Sequence, residues 1–394
     1  MDYIREKMVT NMSVYLGRRP NIMQAKELIP PIIGIELKSP ILSLEQMAQL
    51  EKTMGQKPSR SFCVPHKIDI TFDASMGKEG FYKRIEEIKA EAMDAVKRRY
   101  TILVLSDRDA TAGRPAIPSL LALRAVVNKL NRSGLRLHTS IVVDSGEIRG
   151  THHVACLIGF GASAVCPWLS LATAEFSDHR TLKDLDVKER RKNAIKAFET
   201  GLLKIMSKMG ISVVRSYQSA KLFMALGLSG EIIKDYFPGL TSPIGGISMD
   251  QVIERVIKDH ETSVEIAKEG KLPHTYQYRE QPTGKIGEIH SMTAARSRML
   301  HKIVRQEGLE LNDIEAYKAY LEAGDDFAPV NLRNLVQLHN PDGGIELSEV
   351  EAKEEITKTF SSGAMSFGAI SAESQRDIFL AMKEVGGSSN SGEG

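Results

Sequence analysis

Residues 101–109 read TILVLSDRD, and the stretch that they open, up to residue 168, decides the fold. The first five of these residues are apolar or β-branched at consecutive positions, which is typical of a strand buried on both faces of a parallel sheet. Apolar residues then recur at helical spacing from Pro118 to Leu130 and predict a helix that ends at Ser133-Gly134. The alternation continues with a strand at 140–143, a helix at 152–158 and a strand at 164–166. Connections this short imply parallel strands with right-handed crossovers, so the sequence predicts an α/β protein with a barrel-like β/α core.

The pattern extends on both sides of this core, and at least five strand–helix units result, which suits a barrel or a barrel-like open sheet. The additional elements that we predict from hydrophobic periodicity are a helix at 4–16, a helix at 44–54 with Ser43 as its N-cap, a strand at 68–72, a helix at 80–97, a helix at 184–209, a strand at 211–214 and a helix at 216–226.

Three loops follow the carboxyl ends of the predicted strands, and two of them carry acids and hydroxyls. They are Ser-Asp-Arg at 106–108, Asp-Ser-Gly-Glu at 144–147 and Pro-Trp-Leu at 167–169. Ligands of parallel β/α folds gather at this edge of the sheet, so these strand-end loops are a candidate site. The alternative is that their acids and hydroxyls cap the following helices. Asp107 and Arg108 are likewise either an acid/base pair or a salt bridge within their loop.

The composition limits the classes of function that this chain can have. The 394 residues carry a net charge of +2 without a long block of Lys and Arg, so we predict binding to neither nucleic acid nor a membrane surface. No apolar segment reaches the roughly 20 residues that span a bilayer. Cys63, Cys156 and Cys166 show no CxxC spacing, which favours a reducing, cytoplasmic location over disulfides or a zinc site. His152 and His153 are adjacent and would point in different directions from a helix, so no metal site is predicted.

The C-terminal stretch has a different character. It reads GAMSFGAIS at 363–371, continues through a predicted helix at 373–385, and ends with GGSSNSGEG at 386–394. Glycines at this density let a backbone approach a flat or anionic ligand closely, and exposed amides can bind phosphate or carboxylate. Runs of Gly and Ser are, as an alternative, typical of flexible linkers. Because the sequence stops within this pattern, we expect the chain to be truncated.

These residues resemble a known family. The run AMSFG at 364–368, followed by GGSSNSGEG at 386–394, is similar to the opening of the flavin-binding synthase domain of glutamate synthases. Other stretches that resemble the same family in the same order are 2–21, 106–108, 117–121, 142–147, 152–153, 157–159, 204–212 and 243–247. The resemblance implies a central domain at 1–345, and at 346–394 the truncated start of a second barrel, the FMN-binding (β/α)8 synthase domain.

The resemblance also implies a function. Glutamate synthases form L-glutamate from 2-oxoglutarate and glutamine-derived ammonia, which an amidotransferase domain with an N-terminal cysteine releases into an internal tunnel. Reduced FMN supplies the hydride, and an iron–sulfur cluster passes electrons from an NAD(P)H-linked subunit or ferredoxin to the flavin. This chain would then be a fragment that links the catalytic domains and helps form the ammonia tunnel. We expect the isolated fragment to bind neither FMN nor a cluster and to be inactive, because the chain begins without such a cysteine and would hold only the start of the flavin barrel.

Four residues are carried over as site residues of the full-length enzyme. Ala364, Met365 and Ser366 are expected to bind the cofactor near the flavin ring, and Glu393 is the candidate catalytic residue, which would guide ammonia or couple the two active sites. Glu393 could instead only anchor the Gly-rich loop. A second function of another class is a stand-alone β/α-barrel enzyme that acts on a small anionic substrate at the strand-end loops.

Overall fold

The computed structural model describes residues 6–20, 34–56, 63–177, 184–270, 294–305, 314–325, 332–336 and 343–393, with the single residues 23, 58, 182 and 339. The chain divides into two compact units, unit 1 at 1–273 and unit 2 at 274–394.

Unit 1 contains helices and strands in alternation. Its helices are α1 (Glu6–Val9), α2 (Leu44–Glu51), α3 (Gly77–Lys97), α4 (Ser119–Arg132), α5 (Thr151–Gly159), α6 (Trp168–Phe176), α7 (Val187–Lys208), α8 (Val214–Tyr217), α9 (Gly230–Tyr236) and α10 (Met249–Glu269). Its strands are β1 (Val14–Gly17), β2 (Gly34–Leu37), β3 (Pro65–Asp69), β4 (Ile102–Ser106), β5 (Ser140–Asp144), β6 (Ala164–Cys166), β7 (Met224–Leu228) and β8 (Thr241–Ile247).

A parallel sheet of four strands lies at the centre of unit 1, in the order β3-β4-β5-β6. Its register is regular, since Ile102 of β4 is opposite both Pro65 of β3 and Ser140 of β5, and Asp144 of β5 is opposite Cys166 of β6. Every residue of β4, β5 and β6 is buried. Parallel strands that neighbour each other in chain order, with helices between them, are the arrangement of successive β/α units.

Both faces of this sheet are covered, which explains why its strands are apolar at consecutive positions. On one face, Leu103 and Val143 belong to a core that they share with the apolar sides of α3, α4 and α5. On the other face, Val104 shares a second core with Leu16 of β1 and Met47 of α2. Full burial of one such side chain contributes about 1.5–3 kcal/mol, so a polar substitution on either face of β4 would be costly.

The predicted α/β class and the central strands are confirmed. β6 has the predicted bounds, and β4 and β5 differ from their predictions by a residue at the ends. The predicted N-cap Ser43 is confirmed as well, because its hydroxyl accepts from Gln46 N–H while the Gln46 side chain accepts from Ser43 N–H. Closure into a barrel is not seen among the described residues: the four strands form an open sheet, and Ile41 adds one isolated parallel bridge to Val165.

The helix predicted at 4–16 is wrong over most of its length. Residues 1–5 lie outside the described residues, 6–9 form α1, and 14–17 form β1, which pairs antiparallel with β2. Gly17 N–H also donates to the hydroxyl of Ser140 in β5 (3.0 Å). Non-local pairing therefore overrides a helical pattern of apolar residues at this position.

The strand predicted at 211–214 and the helix predicted at 216–226 are also wrong. Residues 211–213 form no strand but one bridge, in which Asn11 N–H donates to the Ser212 carbonyl (2.7 Å) and Val214 N–H donates to the Asn11 carbonyl (3.1 Å). Residues 224–228 form β7, which pairs with the unpredicted strand β8. Gly246 allows this pairing, because a Cβ there would lie 2.3 Å from the Gly227 carbonyl oxygen.

The described residues of unit 2 form short helices and one bridge between extended segments. Its helices are α11 (Ala294–Arg305), α12 (Ile314–Asp325), α13 (Lys353–Lys358) and α14 (Ala372–Glu384), with 3₁₀ turns at Leu332–Leu335 and Leu347–Glu349. Ser361 and Ser388 form an isolated parallel bridge, and α14 connects the two segments. Among the described residues, no helix is both long and apolar enough to cross a membrane.

Candidate functional site

The three strand-end loops of unit 1 meet, as the parallel topology requires. Asp107 is 6% exposed, and its carboxylate accepts three hydrogen bonds. The donors are the Ser145 hydroxyl (2.7 Å), Gly146 N–H (2.8 Å) and the indole N–H of Trp168 (2.7 Å). One carboxylate therefore joins all three loops.

Arg108 pairs with the acid of the neighbouring strand and not with Asp107. Its Nε and Nη2 donate to the two carboxylate oxygens of Asp144, at 2.7 and 3.1 Å, and its guanidinium lies 5.2 Å from the centre of the Trp168 ring. Asp144 is fully buried and also accepts from the Ser106 hydroxyl (3.1 Å). A bidentate pair of this kind fixes the loop geometry. Both interpretations of Asp107 and Arg108 as a local pair are therefore wrong, since the sequence does not show the cross-strand register that brings Arg108 to Asp144.

Glu147 caps a helix, as the alternative interpretation of the strand-end loops predicts, but the helix is not the one that follows it. Its carboxylate accepts from Ser119 N–H (2.6 Å) at the start of α4, the helix that precedes it in the chain. Burial raises the pKa of Glu147, against the lowering effect of the Ser119 hydrogen bonds. The acids at these strand ends thus bind donors of the protein itself, which is the geometry of a structural network.

The two C-terminal motifs also come together. Ser362 N–H donates to the Ser388 carbonyl (3.0 Å), and Ser388 N–H donates to the Phe360 carbonyl (3.0 Å). Because the two segments are parallel, the residues that follow them lie at one edge, as they do at the carboxyl ends of parallel strands. We define residues 364–367 and 390–393 as the C-terminal edge.

The four predicted site residues all lie on this C-terminal edge. Ala364 and Met365 are exposed and Ser366 is partly buried. Glu393 accepts from Phe367 N–H through its carboxylate (3.0 Å), so it ties the second segment to the first. The structure brings these residues together, while their roles toward a cofactor or ammonia stay predictions.

Gln375, which the sequence analysis missed, orients this edge from α14. Its side-chain amide donates to the Met365 carbonyl (3.3 Å). Residue 375 lies in the first turn of α14, the helix that follows the AMSFG run at 364–368. This position could have identified Gln375 from the sequence.

The cysteines and the adjacent histidines form no metal centre in the described parts of the chain, where no group of three or more potential ligands occurs. Cys166 is buried in β6, and burial raises the pKa of its thiol. Cys156 is only partly buried, with its sulfur 3.4 Å from His152 Nε2, and burial raises its pKa to about 11. Both thiols are therefore protonated and unreactive near neutral pH. Lys204 and Lys208 are exposed on α7, as expected of a solvated helix face.

Two protein-family models match this chain. The model described as glutamate synthase central domain matches residues 1–229, and the model described as a conserved region in glutamate synthase matches residues 290–394.

Similar curated proteins carry the same family name. The ferredoxin-dependent glutamate synthase of Pyropia yezoensis is 34% identical and the glutamate synthase (NADPH) large chain of Bacillus subtilis is 35% identical, and each match covers 100% of this chain and 25% of the relative. The chain thus spans about a quarter of the length of these relatives. Among solved structures, a flavocytochrome b2 variant with benzoylformate matches with a TM-score of 0.30 at 14% identity, over 50% of this chain and 45% of that chain. This likeness is too low to define the fold.

Proposed function

Because the chain belongs to the glutamate synthase family, we propose that it is part of an enzyme that forms L-glutamate from 2-oxoglutarate and the amide nitrogen of glutamine. The similarity of 34–35% over the whole chain to proteins of that name carries the proposal. These relatives are named for ferredoxin and for NADPH, and one of these two donors would supply the electrons here. The three cysteines form no disulfide, which suits a reducing compartment such as the cytoplasm.

Residues 1–345 would be the central domain, which links the catalytic domains and forms part of the ammonia tunnel. Residues 346–394 would begin the FMN-binding synthase domain. The parallel bridge from Ser361 to Ser388, with α14 between the two segments, supports this division, because a strand, a helix and a parallel strand are the repeating unit of a (β/α)8 barrel.

The C-terminal edge fits a flavin. Ala364 is small and exposed, so a planar ring can approach its backbone. Gly392 has a φ of +71°, which favours glycine, and a Cβ there would already lie 3.5 Å from the Ala364 side chain. Bound FMN would supply hydride chemistry. The part of this chain would be to position the backbone of Ala364, Met365 and Ser366, where Gln375 binds the Met365 carbonyl and Glu393 binds the N–H of Phe367 next to Ser366.

The cysteines of this chain do not fit an iron–sulfur cluster. Such clusters use several thiolates in one place. Here Cys166 is buried in the sheet, and the thiols of Cys156 and Cys166 both have raised pKa values. Cluster ligands would have to come from residues outside this chain.

The stand-alone enzyme is the less favoured function. It would require a free acid or base at the strand-end loops, whereas Asp107 accepts three hydrogen bonds from the protein and Asp144 is paired with Arg108. A saturated network of this kind supports a linking role for unit 1 over a catalytic one.

The test compares two substitutions at neighbouring exposed positions of the full-length enzyme. We expect Ala364→Trp to abolish flavin binding, because the indole would occupy the space above the backbone of the C-terminal edge. We expect the matched control Met365→Leu, which conserves volume, to keep flavin and glutamate formation within about threefold of wild type. Flavin absorbance per protein and glutamate formed from glutamine and 2-oxoglutarate are the two readouts.

Two outcomes would contradict the proposal. A Trp variant with full flavin content would show that the C-terminal edge does not face the cofactor. A wild-type enzyme that binds flavin and forms no glutamate from these substrates would exclude the reaction itself.

A further inference from the structure

Three arginines of unit 1 converge at the amino-terminal edge of the parallel sheet, opposite the strand-end loops. Arg19 follows β1, Arg136 precedes β5, and Arg215 lies in α8. Arg19 N–H donates to the Leu137 carbonyl (3.0 Å), next to Arg136 in the chain. We call these three residues the arginine cluster.

Gln218 and Gly161 connect the members of the arginine cluster. Arg19 Nη2 donates to the side-chain oxygen of Gln218 (3.2 Å), and the Gln218 amide donates to the Gly161 carbonyl (3.3 Å). Arg136 Nη2 donates to the same carbonyl of Gly161 (2.8 Å). The guanidiniums of Arg19 and Arg136 therefore bind neutral groups and are connected through the Gly161 carbonyl.

The segments that build this region contain no acid. Residues 7–26, 110–143, 148–174 and 200–230 lack Asp and Glu altogether, although the whole chain has 50 of them. Within the described ranges, no carboxylate forms an ion pair with a member of the arginine cluster. Other arginines of unit 1 are paired with acids, as Arg108 is with Asp144.

The electrostatics agree with this geometry. Burial, together with the charges of Arg19, Arg124 and Arg215, lowers the pKa of Arg136 to about 10. Burial and the charge of Arg215 lower the pKa of Arg19. Arg215 lies in α8, which ends next to Gln218, the residue that binds Arg19, and its charge acts on both of the other guanidiniums. Repulsion among like charges destabilises the free protein and would be relieved by a bound anion.

A phosphate group matches this arrangement better than a single carboxylate does. Guanidinium is planar and binds phosphate through paired N–H donors. Arg136 has committed two of its nitrogens to the carbonyls of Thr139 and Gly161, but Arg215 is exposed and has no hydrogen bond from its side chain to the described residues. A group that carries about two negative charges at one point offsets three neighbouring cations more fully than one that carries a single charge.

We propose that the arginine cluster is a binding site for the phosphate group of a small ligand, at the edge of the sheet opposite the strand-end loops. The site shares no residue with the C-terminal edge, and its existence does not depend on the reaction proposed above. Its occupation would stabilise unit 1 by neutralising the cluster.

The probe is inorganic pyrophosphate, added at millimolar concentration to the purified full-length protein, with sodium chloride of equal ionic strength as the reference. If the site is occupied well above its Kd, we expect the Tm of unit 1 to rise by about 4–8 °C. We expect Arg215→Gln to lower pyrophosphate affinity about tenfold in calorimetric titration, because one charge-assisted contact is lost. Lys204→Gln removes the same charge from an exposed position of α7 and is the matched control, with unchanged affinity.

The outcomes separate the proposal from its alternatives. Succinate in place of pyrophosphate should give less than a tenth of the affinity, and equal affinity for the two would identify a carboxylate site instead. No thermal shift above that of sodium chloride, or an equal loss of affinity in the Arg215→Gln and Lys204→Gln variants, would overturn the proposal. Arg19→Lys keeps the positive charge but loses the paired N–H donors of the guanidinium, so it should weaken pyrophosphate binding. The Tm of this variant without pyrophosphate should stay close to that of wild type.

Discussion

Asp107→Asn would test whether one carboxylate holds the strand-end loops of unit 1 together. The substitution keeps the size of the side chain and leaves one oxygen, which can still accept from the Ser145 hydroxyl and Gly146 N–H. Its new NH₂ group would then face the indole N–H of Trp168, which now donates to Asp107 at 2.7 Å. Two donors would meet in a region where Asp107 is 6% exposed, so water cannot easily separate them.

The magnitude follows from these three hydrogen bonds. Two of them change from a charged to a neutral acceptor, at a loss of about 1 kcal/mol each, and the unpaired indole N–H costs about 1–3 kcal/mol. Removing a buried charge offsets part of this sum. We therefore expect the free energy of unfolding of unit 1 to fall by about 2–4 kcal/mol.

The assay is urea unfolding, followed by far-UV circular dichroism and by the fluorescence of Trp168, the only tryptophan in the 394-residue sequence. Asp109→Asn is the matched control, because Asp109 is 52% exposed and pairs with Lys67 (2.7 Å), a contact worth up to about 1 kcal/mol. If both variants unfold within about 0.5 kcal/mol of wild type, the three loops are held by packing and not by Asp107.

Three further predictions concern other parts of the chain. In the full-length enzyme, Glu393→Ala should uncouple glutamine hydrolysis from glutamate formation while flavin stays bound, because it removes the tie to Phe367 N–H; equal losses of both activities would leave Glu393 an anchor of its loop. Burial raises the pKa of Glu147 above its ordinary 4.5, so the folded protein holds more proton there than the unfolded chain, and stability falls as pH rises from 4.5 through the folded pKa. Glu147→Gln should flatten this decline in urea unfolding at a series of pH values, and an unchanged slope would contradict the assignment. Arg124→Leu should lower the free energy of unfolding by about 2–4 kcal/mol in thermal unfolding, since it breaks bonds to the carbonyls of Tyr236 (2.9 Å) and Phe160 (3.0 Å), whereas Arg98→Leu, at a side chain that is 60% exposed, should change it by less than about 1 kcal/mol.

The elements that the sequence predicts correctly are those whose burial decides their pattern. Residues 102–105 of β4 are all apolar because both faces of the strand are covered, and α4 is rich in apolar residues because it is buried on most of its sides. The start of α2 was equally predictable, since Ser43 and Gln46 form a local capping box. In each case the cause lies within a few residues of its effect.

The errors occur where the deciding contact is distant in sequence. Val14–Gly17 becomes β1 because of β2 and Ser140, and Met224–Leu228 becomes β7 because of β8. The same limit applies to the candidate site. The sequence identified the three strand-end loops and both C-terminal motifs, but the pairing of Arg108 with Asp144 depends on the register of β4 against β5, which no local pattern encodes.

The bridge between Asn11 and residues 212–214 has a consequence for how the chain is made. Asn11 exchanges backbone hydrogen bonds with Ser212 and Val214, which a ribosome adds about 200 residues later. At a synthesis rate of about 5–20 residues per second, the N-terminal segment waits roughly 10–40 s for these partners. β1 is therefore synthesised before most of the sheet that it covers, and the bridge at Asn11, just before β1, can form only after residue 214 has been added.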